Sequence, residues 1–391
     1  MIFLKKASFL LIVIVFFSFN SKEETITITV KNPLNIVRSF ETVVLSKEFL
    51  KNKDLALLGI REEKTGEIQI TQTVDLDGDG SMDELLFQPK IGAKSKKKYT
   101  VFQISENKRP KTEAYCYSRF VPERTDDYAW ENNKVAFRTY GPRAQKMIED
   151  NIKGGTLSSG IDGWLKRVEY PIINKWYEKT TKGKGSYHQD TGEGLDNFHV
   201  GSSRGIGGTA VKIDSVYYIS KNFTSWKTIT TGPIRTSFIL TYADWDAAGN
   251  KIKETKKISL DYGSFLSKFE ILVSGTNELS TGLTLHDKKG KIGSNSKEGW
   301  LDYWETIDDS EIGTGIVVPN IKLVGIENYL TSKADLSNHY ATLKVEDNKI
   351  IYYAGFGWKK QGTFVTKEAW ESYLSVFAQK INNPLIVKLN K

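Results

Sequence analysis

Hydrophobic residues recur at every second position over most of this chain. Between residues 25 and 105 the alternating runs are short and β-branched: 26–30 (ITITV), 43–45, 68–74, 84–87 and 99–104, separated by Gly and Pro signals. A period of two over four to eight residues is the pattern of a strand with one buried face. Beyond residue 209 the runs lengthen, at 210–214, 217–220, 225–230, 234–242, 253–260, 265–273 and 315–318. Residues 246–250 (DAAGN) supply a hairpin turn, 339–356 predict a further hairpin, and 385–389 a last strand after Pro384. One stretch has a clear helical period. It spans 366–380, with Thr366 as N-cap and Ala369, Trp370, Tyr373, Leu374 and Phe377 on one face. Residues 161–170 predict one or two helical turns ending at Pro171. The pattern as a whole predicts a mainly β protein with few helices: a small N-terminal β-sandwich at 25–105 and a large antiparallel β-sandwich at 106–391.

The stretch 186–209 breaks this pattern. It contains two of the chain's four histidines, the carboxylates Asp190, Glu193 and Asp196, Arg204 and six glycines, with no apolar period. Long irregular segments inside a compact protein are commonly functional, and Tyr187, Phe198 and His199 argue for an ordered one. It is the candidate rim of an active site.

Composition refines the picture. Residues 1–20 read as a secretory signal peptide: Lys5 and Lys6 precede an apolar run at 9–19, too short to span a bilayer, and polar residues follow at once. The expected location is therefore periplasmic or secreted, with no membrane span after cleavage. Cys116 is the sole cysteine, which excludes an internal disulfide. The formal charge of +8 falls to +6 once Lys5 and Lys6 are removed, a modest excess that suits an anionic substrate. Nucleic acid is not expected, because the lysines are scattered and no recognition motif accompanies them.

Residues 75–84 (DLDGDGSMDE) place Asp75, Asp77, Asp79 and Asp83 at loop positions one, three, five and nine, with Gly80 at six. That spacing wraps oxygens around a hard cation such as calcium. Position twelve is Leu86 rather than Glu, and the flanks alternate as strands, so an EF-hand is excluded. The expectation is a structural calcium loop between strands, the alternative a plain acidic turn. No organic cofactor is expected.

Common hydrolase, kinase, zinc-protease and dinucleotide fingerprints are absent. Five runs, RFVPER at 119–124, WEN at 130–132, AFRTYGP at 136–142, IDGWLKRVEYPII at 161–173 and YHQDTGEGLD at 187–196, resemble a secreted family long catalogued as a domain of unknown function. The resemblance extends over nearly the whole mature chain. One branch of that family is described as an oligosaccharide dehydratase acting on ulvan fragments. The resemblance implies a galactose-mutarotase-like β-sandwich and removal of water from a non-reducing-end glucuronate, giving a 4,5-unsaturated uronosyl product. Such an elimination needs a neutralised carboxylate, a base for the C5 proton and an acid for the leaving hydroxide.

By residue type and position, His188 and Tyr187 are the acid and base candidates and Arg204 the partner of the substrate carboxylate. His199, Lys166 and Tyr170 are further catalytic candidates, with Arg143, Trp164, Trp300 and Trp304 as substrate-binding ones. A metal held by His188, Glu193, Asp196 and His199 would match no specific spacing. His286, near Trp300 and Trp304, marks a second cluster. Three alternatives remain open: a polysaccharide lyase, a glycoside hydrolase using Glu193 and Asp196, and a non-catalytic binding protein using Trp300 and Trp304.

Overall fold

The structure, a computed structural model, describes residues 25–390, so the leader expected at 1–20 lies outside the described residues. Ile26–Lys31, Lys96–Gln103 and Leu58–Glu62 form one antiparallel sheet of the N-terminal body. Val43–Ser46, Glu84–Phe87 and Thr71–Val74 form the other. Their alternating apolar residues, among them Ile28, Val30, Leu45, Ile60, Phe87 and Tyr99, meet in a closed core. The last strand, Ile386–Leu389, pairs antiparallel with Ile26–Lys31. Sequence pattern groups it with residues 106–391, but an open sheet edge carries unpaired backbone groups that a returning strand satisfies. Gln72 ties the two bodies together. Its Nε2 donates to Thr230 Oγ1 and to the Arg235 carbonyl, and its Oε1 accepts from the Ile234 and Arg235 amides.

The large body is built of antiparallel sheets, as the long alternating runs require. One follows the order Phe223–Thr230, Arg235–Tyr242, Asn250–Asp261, Leu266–Ser274, Lys349–Trp358, Ser310–Val317, Trp300–Ile307, Lys291–Asn295. A second runs Val216–Tyr218, Ile206–Ile213, Glu278–Thr284, Asn338–Lys344, Leu323–Tyr329. Their apolar faces share one core that includes Ile206, Ile258, Phe269, Leu283, Ile316 and Tyr352. A third sheet, Gly194–Leu195, Asp162–Lys166, Ala136–Thr139, Asp127–Glu131, Tyr117–Val121, joins the same core. Tyr128 stacks on Phe238 with ring centroids 4.1 Å apart, and Phe137 meets Phe356 edge-on.

Among the described residues the α-helices are Pro142–Glu149, Ile173–Thr181 and Lys367–Asn382. The last has Thr366 Oγ1 accepting from the Ala369 amide, the cap expected from sequence. The helical turns expected at 161–170 are not formed. Asp162–Lys166 is a strand buried on both faces, so it lacks the polar side that reveals a strand by period two. The chain turns helical only after Pro171, where the Glu131 carboxylate accepts the Ile172 and Ile173 amides at 2.9 Å. No helix among the described residues is long and apolar enough to cross a membrane.

Candidate active site

Strand pairing assembles the floor of the site. Arg138 stands directly opposite Asp162 in the antiparallel register, which brings the two side chains together on one face. Arg138 Nε donates to Asp162 Oδ2 at 2.7 Å, and Nη2 donates to Asp196 Oδ2 at 2.8 Å. Asp127 Oδ2 lies 3.6 Å from Nη1. All four groups are buried. Tyr140 donates its hydroxyl to Asp162 Oδ2 at 2.9 Å. The guanidinium also rests over the rings of Tyr140, Trp164 and Tyr187. Three carboxylates thus surround Arg138, with Arg124 nearby, and one oxygen each of Asp127 and Asp162 finds no protein partner. Burial pushes Asp127 up to about 6. Burial, with Asp196 beside it, likewise holds Asp162 above the ordinary carboxylate range.

Above this floor opens a cleft of about 620 Å³, lined by Arg138, Tyr140, Asp162, Asp196, Phe198 and Asp335 together with His188 and His199. His188 is half exposed; its Nδ1 lies 2.7 Å from the Asp196 carbonyl and 3.4 Å from Asp196 Oδ2. His199 Nε2 lies 3.1 Å from Asp335 Oδ1. Each imidazole is therefore held through one nitrogen, His188 by the Asp196 carbonyl and His199 by the Asp335 carboxylate, leaving the other for substrate, the arrangement of a general acid or base. Two glycines fix the loop that carries them. Gly194 has φ +123, and a Cβ there would lie 1.9 Å from the Leu165 carbonyl oxygen. Gly201 has φ +51, and a Cβ would strike the Asp335 carboxylate.

The loop 186–209 thus borders the cleft through His188 and residues 196–202, but several side chains proposed from sequence do not face it. Tyr187 is buried beneath His188, its hydroxyl accepting from Arg124 Nε at 3.0 Å and Arg138 Nη1 at 3.3 Å, so Tyr140 is the cleft tyrosine. Arg204 is fully buried, donating to Ser159 Oγ and to the Thr209 and Ser202 carbonyls, so it braces the loop and cannot meet a substrate carboxylate. The cleft arginine is Arg138. Lys166 is enclosed: Nζ donates to Glu131 Oε2, the Asn132 carbonyl and the Tyr170 carbonyl, which uses all three protons. Tyr170 is exposed away from the cleft and donates to Glu193 Oε1 at 2.5 Å.

Arg143 is exposed on Pro142–Glu149 and is not among the lining residues. Trp164 is wholly buried against Trp176, Tyr177 and Tyr187. Trp300 and Trp304 are buried in an interior strand, their Nε1 atoms donating to Glu298 and Glu311, so neither offers a face to a sugar. Glu193 is held by Tyr170, Lys175 and Trp176 and does not line the cleft with Asp196. Asp162 and Asp335 went unrecognised from sequence, because only the strand register and the loop closure bring them to the histidines.

The acidic turn lies between Thr71–Val74 and Glu84–Phe87, as expected. Ligand atoms of Asp75, Asp77 and Asp83 lie within 4.8 Å of one another. Asp79, whose Oδ1 accepts from the Ser81 amide, is not part of this group. His188, Glu193, Asp196 and His199 do not converge in this way among the described residues.

Similarity to other proteins agrees with the architecture. The structure of a glycosyl hydrolase family 38 protein from Enterococcus faecalis superposes with a TM-score of 0.51 at 10% identity, covering 94% of this chain and 47% of that one. The chain spans about half the length of that protein, and the likeness is one of fold. An uncharacterised protein of Formosa agariphila is 57% identical over 366 residues, 93% of each chain. The family described as a domain of unknown function (DUF4861) matches residues 30–387, and this chain belongs to it.

Proposed function

We propose that this protein is an oligosaccharide dehydratase that eliminates water across C4 and C5 of a non-reducing-end glucuronate on an ulvan-type oligosaccharide. The observation that carries the reading is the pair of anchored imidazoles on one cleft, His188 on the Asp196 carbonyl with the Asp196 carboxylate 3.4 Å away, and His199 on the Asp335 carboxylate. One imidazole takes the C5 proton. The other, protonated, gives its proton to the C4 hydroxyl as the C4–O bond breaks, so that water leaves and the electron pair forms the C4–C5 double bond. Negative charge gathers on the substrate carboxyl group as C5 loses its proton. Asp162 lies buried under the cleft, where its carboxyl group accepts from Arg138 Nε and the Tyr140 hydroxyl and so holds both side chains in place. Sugar as the substrate class rests on the resemblance of the five sequence runs to the family.

Incubation with saturated glucuronyl-rhamnose oligosaccharides tests this directly. Loss of the mass of one water with new ultraviolet absorbance is expected. Cleavage with absorbance would make the protein a lyase, cleavage without absorbance a hydrolase, and no change a binding protein.

The Asp75, Asp77 and Asp83 cluster fits a hard cation, and we assign it a structural calcium. Asp77 also anchors the loop to the large body, its carbonyl accepting from Lys227 Nζ at 2.6 Å. Calcium at about a hundred times its dissociation constant is expected to raise unfolding stability by about 2.7 kcal/mol. Chelator should reverse the gain, and Asp83→Asn should abolish it. An unfolding midpoint indifferent to calcium would leave the loop a plain acidic turn.

A further inference from the structure

His286 and Glu305 lie behind the segment that carries His199, on different strands' ends of the large body. His286 follows Glu278–Thr284, and Glu305 belongs to Trp300–Ile307. His286 Nε2 is 2.6 Å from the His199 carbonyl oxygen, and Nδ1 is 2.5 Å from Glu305 Oε1. Phe198 meets the His286 ring edge-on at 4.7 Å, which fixes the plane of the imidazole. Glu305 is buried, with an exposed fraction of 4%.

Proton counting makes this arrangement informative. A carbonyl oxygen only accepts, so Nε2 must carry a hydrogen. A neutral imidazole has no second hydrogen to place between Nδ1 and Glu305. Two bare lone pairs 2.5 Å apart would repel, so that gap holds a further proton, on the ring or on the carboxyl group.

We infer that His286 and Glu305 together form a proton-dependent latch that holds the His199 backbone, and with it the His199 imidazole, in the cleft. The inference rests on the proposed role of His199. Loss of the shared proton forces one of two contacts to become repulsive, Nε2 against the carbonyl or Nδ1 against the carboxylate, and the latch opens. Burial works against charge on His286, but its hydrogen bond to Glu305 outweighs this and holds it above the ordinary histidine value, so the latch opens as pH rises. Charged and titratable groups facing the pair are Asp335, Asp287, Tyr303 and the His199 ring, 6.4 Å from that of His286. Neither His286 nor Glu305 lines the cleft, so both are positioning residues.

The test has an arm that needs no substrate. Nitrogen-15 imidazole spectra of the mature protein at neutral pH should show a histidine with hydrogen at both ring nitrogens or a proton shared with a carboxylate whose signal His286→Ala removes, while the same change shifts the signals of His199. A spectrum with His286 singly protonated and its Nδ1 free would overturn the latch whatever the enzyme does. With the uronyl oligosaccharide, His286→Ala is expected to lower kcat about ten- to a hundredfold with KM within about twofold. Glu305→Gln is the conservative variant. Its amide donates to Nδ1 of a neutral His286 while Nε2–H keeps the His199 carbonyl, so it should retain kcat at neutral pH and extend activity to higher pH. Wild-type kcat and an unchanged pH profile in folded His286→Ala would also sink the inference. A wild-type protein inert toward uronates, with the shared proton present, would instead remove the dehydratase reading alone.

Discussion

Replacing Arg138 with methionine is expected to destabilise the protein by about 3–5 kcal/mol near neutral pH, because the substitution strands buried charge. Against a total stability of about 5–15 kcal/mol for a typical domain, that loss is large. Arg138 satisfies Asp162 and Asp196 by direct hydrogen bonds and faces Asp127, and all three carboxylates are buried. Methionine fills much of the volume and contributes no charge, so the effect is electrostatic rather than a cavity. The sign with pH follows from the raised carboxylates. A folded-state pKa above the unfolded value means the native protein binds more protons between the two, so stability falls as pH rises through that window. For Asp127 the window already runs from its ordinary 3.8 to about 6, and loss of the guanidinium widens it. The deficit of Arg138→Met should therefore be greatest at pH 7 and shrink toward pH 4. Asp162→Asn removes one of the ionising groups and should leave stability at pH 7 equal to or above wild type. Denaturant unfolding of the three proteins at both pH values checks this; an Arg138→Met deficit independent of pH would show that the cluster is not held by charge.

The second large effect concerns turnover. His188→Ala and His199→Ala should each lower kcat by about 10²- to 10⁴-fold, the usual contribution of a positioned acid or base. Neither change should disturb folding much, because both rings are at least half exposed and Asp196 keeps its bond to Arg138. Tyr187→Phe separates chemistry from support. It removes a hydroxyl that accepts from Arg124 and Arg138, so it should cost about 1 kcal/mol of stability and leave the acid and base in place. Unfolding midpoints and turnover, measured on the same preparations, distinguish the two kinds of variant. Full activity in His188→Ala would end its assignment, and a Tyr187→Phe protein that folds normally but is inert would restore the tyrosine to the chemistry.

Strands such as Ile26–Lys31 and Asn250–Asp261 and the helix Lys367–Asn382 are legible because each has one wetter and one drier face, which writes a period into the chain. Asp162–Lys166 is not. Neighbours cover both its faces, so its five buried residues carry no alternation and the run reads as helical turns. The same enclosure misdirected the choice of site residues. Lys166, Arg204, Trp164, Trp300 and Trp304 are chemically suitable side chains, yet each is consumed by internal partners or packing. Residue type says what a group can do; only its surroundings say whether a substrate can reach it. His286 shows the converse, since it read as part of a separate cluster and stands against the His199 backbone.

Sequence alone determined the antiparallel β class, the capped C-terminal helix, the acidic turn between strands, and the loop 186–209 as the place to look, because these depend on local periodicity and composition. Tertiary structure decided that Arg138 rather than Arg204 sits beneath the cleft, that Tyr140 rather than Tyr187 lines it, and that Asp196 and Asp335 stand behind the two histidines. The physical reason is register. Opposition of Arg138 and Asp162, and of His199 and Asp335 across 136 residues of chain, is set by which strands pair and how loops close over them, and no local pattern encodes that.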